Sequence, residues 1–244
     1  MLEPIYVVGI GAGAEPMMTA EALAALEHSE VIVGYPVYLE LLGERFAGKE
    51  FLSTPMRQET KRCRMCFEQA LSGKKVALIC SGDAGVYGMA SLMFELNPEY
   101  PDCEVRVIAG VTAASSGAAV LGAPLGHDFC VISLSDLLTP WEQIEKRLAA
   151  AVAGDFAIAI YNPASRKRAD YLKRACEILR TNGAEATRAC GYVENIGRKG
   201  ERAVTCSLEE LAQAEVNMFT TVFIGNSQSE IIGGKLVTKR GYVL

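Results

Sequence analysis

The chain lacks any excess of basic residues: 24 lysines and arginines stand against 29 acidic residues, a formal net charge of −5. Nucleic-acid proteins carry a basic footprint, so no nucleic-acid partner is expected. A local cationic patch for a small polyanion stays compatible with that balance. No apolar run approaches the ~18 residues of a membrane span, and Met1-Leu2-Glu3-Pro4 enters a strand without a basic leader. The expectation is a cytoplasmic protein that does not use a membrane. Nor does any low-complexity linker break the 244 residues, which suffice for one large domain or two small ones. A boundary is placed near residue 113, giving domains 1–113 and 114–244.

Metal-ligating patterns are equally sparse. Cys63 and Cys66 form a C-x-x-C without a second pair or neighbouring histidines, so no protein-held metal is expected. The simpler reading is two residues one helical turn apart. The eight cysteines are scattered through apparent strands and helices, which favours reduced thiols over a disulfide framework. Of the two histidines, His28 falls at the end of a helix, where the dipole accounts for it. His127 lies in a loop beside Asp128, which admits either a structural hydrogen bond or acid–base work.

What is present is an alternation of short buried strands and amphipathic helices. Half of the residues are hydrophobic, an ordinary globular composition. Ile5-Tyr6-Val7-Val8 reads as a strand, Thr19 as the cap of a helix bearing Ala22, Leu23 and Leu26, and Val31-Ile32-Val33 as the next strand. This βαβ start predicts an α/β fold with mainly parallel sheets. The pattern continues through Val76–Cys80, the helix Ala113–Leu121, the strand Phe156–Tyr161 and a helix stopped at Asn182-Gly183.

The most informative stretch is Ser81-Gly82-Asp83-Ala84-Gly85-Val86-Tyr87-Gly88, between an apolar strand and a helix. Glycines and a carboxylate at the carboxyl end of a strand suit a ligand lying on bare backbone. Gly9-Ile10-Gly11-Ala12-Gly13 and Ala109-Gly110-Val111-Thr112-Ala113 are similar turns. Gly9-x-Gly11-x-x-Ala14 formally matches the dinucleotide fingerprint, but Glu15 and Pro16 follow where the helix should begin. The next strand also ends in Gly34-Tyr35 instead of a ribose-binding carboxylate. A nicotinamide-dependent oxidoreductase is therefore the weaker alternative.

The three glycine turns, in their order, resemble those of the S-adenosylmethionine-dependent tetrapyrrole methyltransferases. The stretch Ala123-Pro124-Leu125-Gly126-His127-Asp128 through Ser133-Leu134-Ser135-Asp136 resembles the branch acting on C17 of precorrin-3B or cobalt-factor III. So do Tyr161-Asn162-Pro163-Ala164-Ser165-Arg166, Gly191-Tyr192-Val193-Glu194-Asn195 and Thr220-Thr221-Val222-Phe223. The resemblance spans nearly the whole chain. It implies two αβα domains with a cofactor cleft between them, a homodimer, and contraction of the macrocycle coupled to methylation in cobalamin biosynthesis.

That resemblance further implies cofactor contacts at Gly11, Asp83, Val86, Thr112, Ala113, Tyr161, Tyr192 and Thr221. S-adenosyl-L-homocysteine would be the product. His127 and Asp136 become candidates for proton transfer during contraction, with Ser133 and Ser135 as hydrogen-bond donors. Arg57, Lys61, Arg166 and Arg168 become candidates to grip substrate carboxylates, arginine's fork suiting bidentate contact. Ala84 stands where many relatives carry proline. Another precorrin methyltransferase, the protein-methylating diphthamide branch, or a non-catalytic module that senses the cofactor or a tetrapyrrole are the remaining readings.

Overall fold

The computed structural model describes residues 2–165 and 167–243. The chain divides into two compact units, Met1–Ala113 and Ala114–Leu244.

In the first unit five strands form one parallel sheet: β1 (Ile5–Gly9), β2 (Val31–Gly34), β3 (Glu50–Ser53), β4 (Val76–Cys80) and β5 (Val105–Ile108), in the order β3-β2-β4-β1-β5. β2 and β4 are apolar and buried along their whole length, as strands covered on both faces must be. Val7, Val33 and Leu78 point to one face, against α3 (Glu59–Leu71) and α4 (Ala90–Leu96). Val8, Ile32 and Ile79 point to the other, against α1 (Ala20–His28) and the segment carrying Leu42 and Phe46. α1 begins at Thr19, whose hydroxyl accepts the amide of Ala22 at 3.1 Å. A short helix, α2 (Pro36–Leu39), follows β2. Because the chain leaves β1 towards the α1 face and β4 towards the α4 face, these neighbouring strands form the switch point of the sheet.

The second unit begins with α5 (Ala113–Leu121) and a short strand β6 (Gly122–Ala123), and carries the sheet β10-β9-β11-β8-β7. Its strands are β7 (Phe129–Ser133), β8 (Ala157–Tyr161), β9 (Ala189–Glu194), β10 (Arg202–Ser207) and β11 (Thr220–Ile224). α6 (Trp141–Ala153), α7 (Tyr171–Thr181) and α8 (Leu208–Leu211) cover one face, and α5 packs on the other, with Gly117 against Ile196 and Phe223. β12 (Ser229–Ile232) and β13 (Lys235–Thr238) form a hairpin through Gly233-Gly234, both at positive φ, and β13 pairs with β6.

The expected α/β class holds, but the two sheets differ in direction. β7 and β8 pair in parallel, whereas β11 runs antiparallel to both β8 and β9, and β10 antiparallel to β9. The physical reason is connection length. Only residues 195–201 join β9 to β10, enough for a hairpin and too few for a crossover helix. β10 escapes the sequence pattern because it is a half-exposed edge strand reading Arg-Ala-Val-Thr-Cys-Ser.

All eight cysteines are free, and all except Cys130 are buried. Cys63 and Cys66 face the core from α3, where burial pushes the Cys63 thiol up to about 12. Among the described residues no group of histidine, cysteine and acidic side chains could hold a metal, and no helix is long and apolar enough to cross a membrane.

The ends of β4, β1 and β5 meet through glycine. A Cβ at Gly110 would lie 2.2 Å from the Gly82 carbonyl oxygen and 2.5 Å from that of Gly9, and backbone on both sides cannot give way. Gly110→Ala is expected to cost about 3 kcal/mol, read as a lower urea midpoint. Gly48→Ala, where a Cβ meets nothing within 4 Å, should leave the midpoint unchanged.

Candidate functional site

At the carboxyl edge of the first sheet the turns after β1, β4 and β5 are tied together by backbone. The Gly11 amide donates to the Gly82 carbonyl at 3.0 Å and the Gly82 amide returns a bond to Gly11 at 2.7 Å, both glycines having positive φ. Asp83 completes the tie. Its Oδ1 accepts the amides of Gly85 and Val86 at 2.8 and 3.2 Å, and its Oδ2 accepts the amide of Gly110 at 2.9 Å. Thr112 and Ala113 lie alongside, a Cβ at Gly82 being 3.5 Å from the Ala113 nitrogen. Gly11, Asp83, Val86, Thr112 and Ala113 are thus brought to one edge. Tyr87 stands above them, exposed and in the left-handed region at φ 55°, and Val111 is also exposed.

In the second unit another edge gathers residues at the carboxyl ends of β7 and β8 and the start of β11. Ser133 pairs in register with Tyr161. The side-chain amide of Asn162, itself at φ 54°, donates to Ser133 Oγ at 2.9 Å, and the Ser135 amide donates to the same oxygen at 3.2 Å. The Tyr161 hydroxyl accepts the amide of Ala114 at 2.7 Å and so caps α5. Thr221 lies opposite Val193 and Tyr192 opposite Val222 on antiparallel strands, so Thr221 and Tyr192 emerge on opposite faces. Tyr192 belongs to the core under α6 and α7, and its hydroxyl accepts from Arg202 at 2.9 Å.

Asp136 follows directly and is held by Arg168 Nε at 2.5 Å and by the Tyr171 hydroxyl at 2.6 Å. The Tyr171 bond, reinforced by the Arg168 charge, keeps its carboxyl below the ordinary range, and the Tyr171 phenol is raised in return. Arg174 lies 4.1 Å over the Trp141 ring beside this pair. Neither Tyr171 nor Trp141 is given a role by sequence pattern, and Asn162 enters only inside the stretch Tyr161-Asn162-Pro163-Ala164-Ser165-Arg166 that carries the resemblance. Only the turn dipeptide Asn162-Pro163 carries a local signal.

The candidate catalytic set is not brought together. His127 precedes β7 whereas Ser133, Ser135 and Asp136 follow its start by the strand's length, about 13 Å for five residues. Asp155, just before β8 at the same amino edge, lies near enough for its carboxylate to respond to His127. Burial works to raise the Asp155 carboxyl, but its bonds from the Ser227 amide and hydroxyl, with Arg188 and His127 nearby, leave it below the ordinary range. Among the candidate cations, Arg57 and Lys61 are exposed at the start of α3, Arg168 is committed to Asp136, and Arg166 lies outside the described residues.

Residues 4–212 match the family of tetrapyrrole (corrin/porphyrin) methylases. The chain is 46% identical over 241 residues to a protein of Salmonella typhimurium described as a probable cobalt-factor III C(17)-methyltransferase, covering 98% of this chain and 100% of that one. It is 37% identical to a precorrin-3B C(17)-methyltransferase of a Sinorhizobium species, over 95% of this chain and 92% of that one. The crystal structure of the methyltransferase CobJ superposes with a TM-score of 0.89 at 37% identity, covering 97% and 99% of the two chains.

The depressed Asp136 titration sets a pH window. Its stabilising contribution is present above the ordinary carboxyl value of 3.8 and is lost as the pH falls through the lower folded value. Asp136→Asn should therefore lower stability at pH 7 by about 1 kcal/mol. The gap to the parent chain should close as urea titrations are repeated below pH 3.8.

Proposed function

Because the chain belongs to the tetrapyrrole (corrin/porphyrin) methylase family, we propose that it methylates C17 of a precorrin-3B-type macrocycle, with contraction of the ring, in cobalamin biosynthesis. The observation that carries this reading is similarity over essentially the full length of relatives so described. Cobalt-factor III is the preferred acceptor, because identity to the relative named for it is 46% against 37% for the relative named for precorrin-3B. Cobalt then enters as part of the substrate.

S-adenosylmethionine supplies an electrophilic methyl group. The residues at the first edge fit such a molecule: Gly82 and Gly85 leave backbone bare, Val111 and Tyr87 offer exposed apolar surface for a purine, and the Asp83 carboxylate supplies negative charge. Gly11, Val86, Thr112 and Ala113 complete that set; Tyr161 and Thr221 are retained as cofactor contacts on their sequence context, whereas Tyr192, turned into the core on the face opposite Thr221, is withdrawn from it. The work of the protein in a displacement at carbon is alignment and exclusion of water. Rigid turns achieve the first.

Arg57 and Lys61, exposed and without an ion pair among the described residues, are assigned to substrate carboxylates. Arg166 is retained in that group on its sequence context. Arg168 and Asp136 neutralise one another, so Asp136 acts by placing Arg168 and not as an independent acid. Ser133, with its oxygen fixed by Asn162 and Ser135, is the residue that steadies a developing charge during contraction. The nicotinamide alternative loses support, since a 3-10 turn at Glu15–Met17 precedes α1 and no helix starts in the glycine motif.

A homodimer in the cytoplasm is the assembly proposed. Exposed Phe129, Phe156, Ile231 and Ile232 support a self-associating surface, and eight free thiols support a reducing compartment.

The reading is tested by transfer of a labelled methyl group from S-adenosylmethionine to cobalt-factor III and, in parallel, to precorrin-3B. Label is expected on cobalt-factor III, in a product one methyl group heavier with a contracted-ring spectrum. Cofactor binding without transfer to either acceptor would instead favour a sensor. In the same assay Ser133→Ala should slow contraction by about 10²-fold, and His127→Ala should leave it unchanged. The reverse pattern would move the chemistry to the amino edge.

A further inference from the structure

Arg62 is a charged residue buried at 3% exposure in the first unit, and the sequence motifs pass over it. It projects from the first turn of α3. Its Nη2 donates to the carbonyls of Thr54 and Pro55 at 3.1 and 3.2 Å, and its Nη1 reaches Met89 Sδ at 3.5 Å. The guanidinium lies 5.7 Å from the centre of the Tyr35 ring. One side chain therefore contacts the segments that follow β2, β3 and β4. All three lie at the carboxyl edge already described.

Its charge is not balanced. Among the described residues no carboxylate forms an ion pair with Arg62, and its buried Nε has no hydrogen-bond partner. Desolvating a guanidinium without an anion is costly, and a protein needing only to brace a loop would use an apolar residue or a paired arginine. What the arrangement gains is a fixed positive field beneath the turn Thr54–Arg57. That turn ends in exposed Arg57, held in the left-handed region at φ 66° with its amide bonded to Glu59. Left-handed non-glycine residues concentrate where a ligand is held.

We propose that Arg62 is a positioning residue that shapes the Thr54–Arg57 turn and makes it a subsite for one carboxylate arm of the tetrapyrrole substrate. This rests on the methyltransferase reading and deepens it. Arg57 makes the contact. Arg62 fixes both carbonyls of the turn away from the arm and adds attraction that a low-dielectric site transmits better than water. An acidic chain thereby binds a polyacid without a basic surface.

The test compares the parent enzyme with Arg62→Met, Arg62→Lys and Arg57→Gly, measuring KM for the tetrapyrrole, kcat and the S-adenosylmethionine Kd at several salt concentrations. Arg62→Met and Arg57→Gly should each raise the tetrapyrrole KM by about 10-fold, flatten its salt dependence and leave kcat and the cofactor Kd near parent values. Arg62→Lys, which keeps the charge, should restore the salt dependence. Equal changes in kcat and KM, or a parent-like KM with unaltered salt dependence, would overturn the inference. Arg57→Gly relaxes a left-handed backbone and so keeps the test open if Arg62→Met does not fold; a parent-like KM there overturns the inference too. Absence of transfer by the parent enzyme would instead indict the methyltransferase reading.

Discussion

The first unit depends on backbone packed directly against backbone. The ends of β1, β4 and β5 converge so closely that Gly9, Gly82 and Gly110 leave no room for a Cβ at two of the three contacts. Close approach alone would leave polar groups stranded, and a buried amide without a partner costs as much as a lost hydrogen bond. Asp83 resolves this by taking three amides on one carboxylate, while the reciprocal Gly11 and Gly82 bonds close the remaining gap. The edge that results is rigid because its parts satisfy one another. A ligand arriving there meets preset geometry and pays little to order it.

Charge is handled differently in the two units, and the contrast bears on function. Asp136, Arg168 and Tyr171 form a closed set in which each group answers another, so the cluster exerts little net field. Arg62 is the opposite case, a buried cation whose partners are carbonyl oxygens and a thioether. The free thiols near it do not alter that account. Burial holds Cys63 at about 12 and Cys80 at about 11, so both stay protonated at neutral pH. The C-x-x-C spacing is thus a consequence of helix geometry, placing two small apolar groups on the core side of α3.

Legibility in the sequence followed burial. The strands Val31–Gly34 and Val76–Cys80, fully apolar, and the cap at Thr19 could be read directly, because each obeys a local rule. The turn at Asp83 was visible as a ligand edge, but the partners of its carboxylate were not, since Gly110 is distant in sequence. β7, β10 and β12 eluded the pattern because they are exposed or intermediate along much of their length and their apolar content is diluted. Arg62 was hidden for the same kind of reason. In a run of charged residues at the start of a helix, nothing local tells the one arginine that turns inward from those that face water.

His127 and Asp136, the pair that the resemblance offers for proton transfer, lie at opposite ends of one strand. His127 and Asp136 are nine positions apart, a separation that on a helix or in a loop could bring them into contact. Inserting the five residues of β7 between them places one at the amino edge and the other at the carboxyl edge. Strand direction then decides which can take part. In open α/β sheets the loops at carboxyl ends carry the ligand because successive helices diverge there, leaving backbone groups exposed around a crevice. At the amino edge His127 finds Asp155, whose carboxylate is already engaged by Ser227. At the carboxyl edge the Ser133 hydroxyl is held by the Asn162 and Ser135 amides, in positions set when the sheet folded.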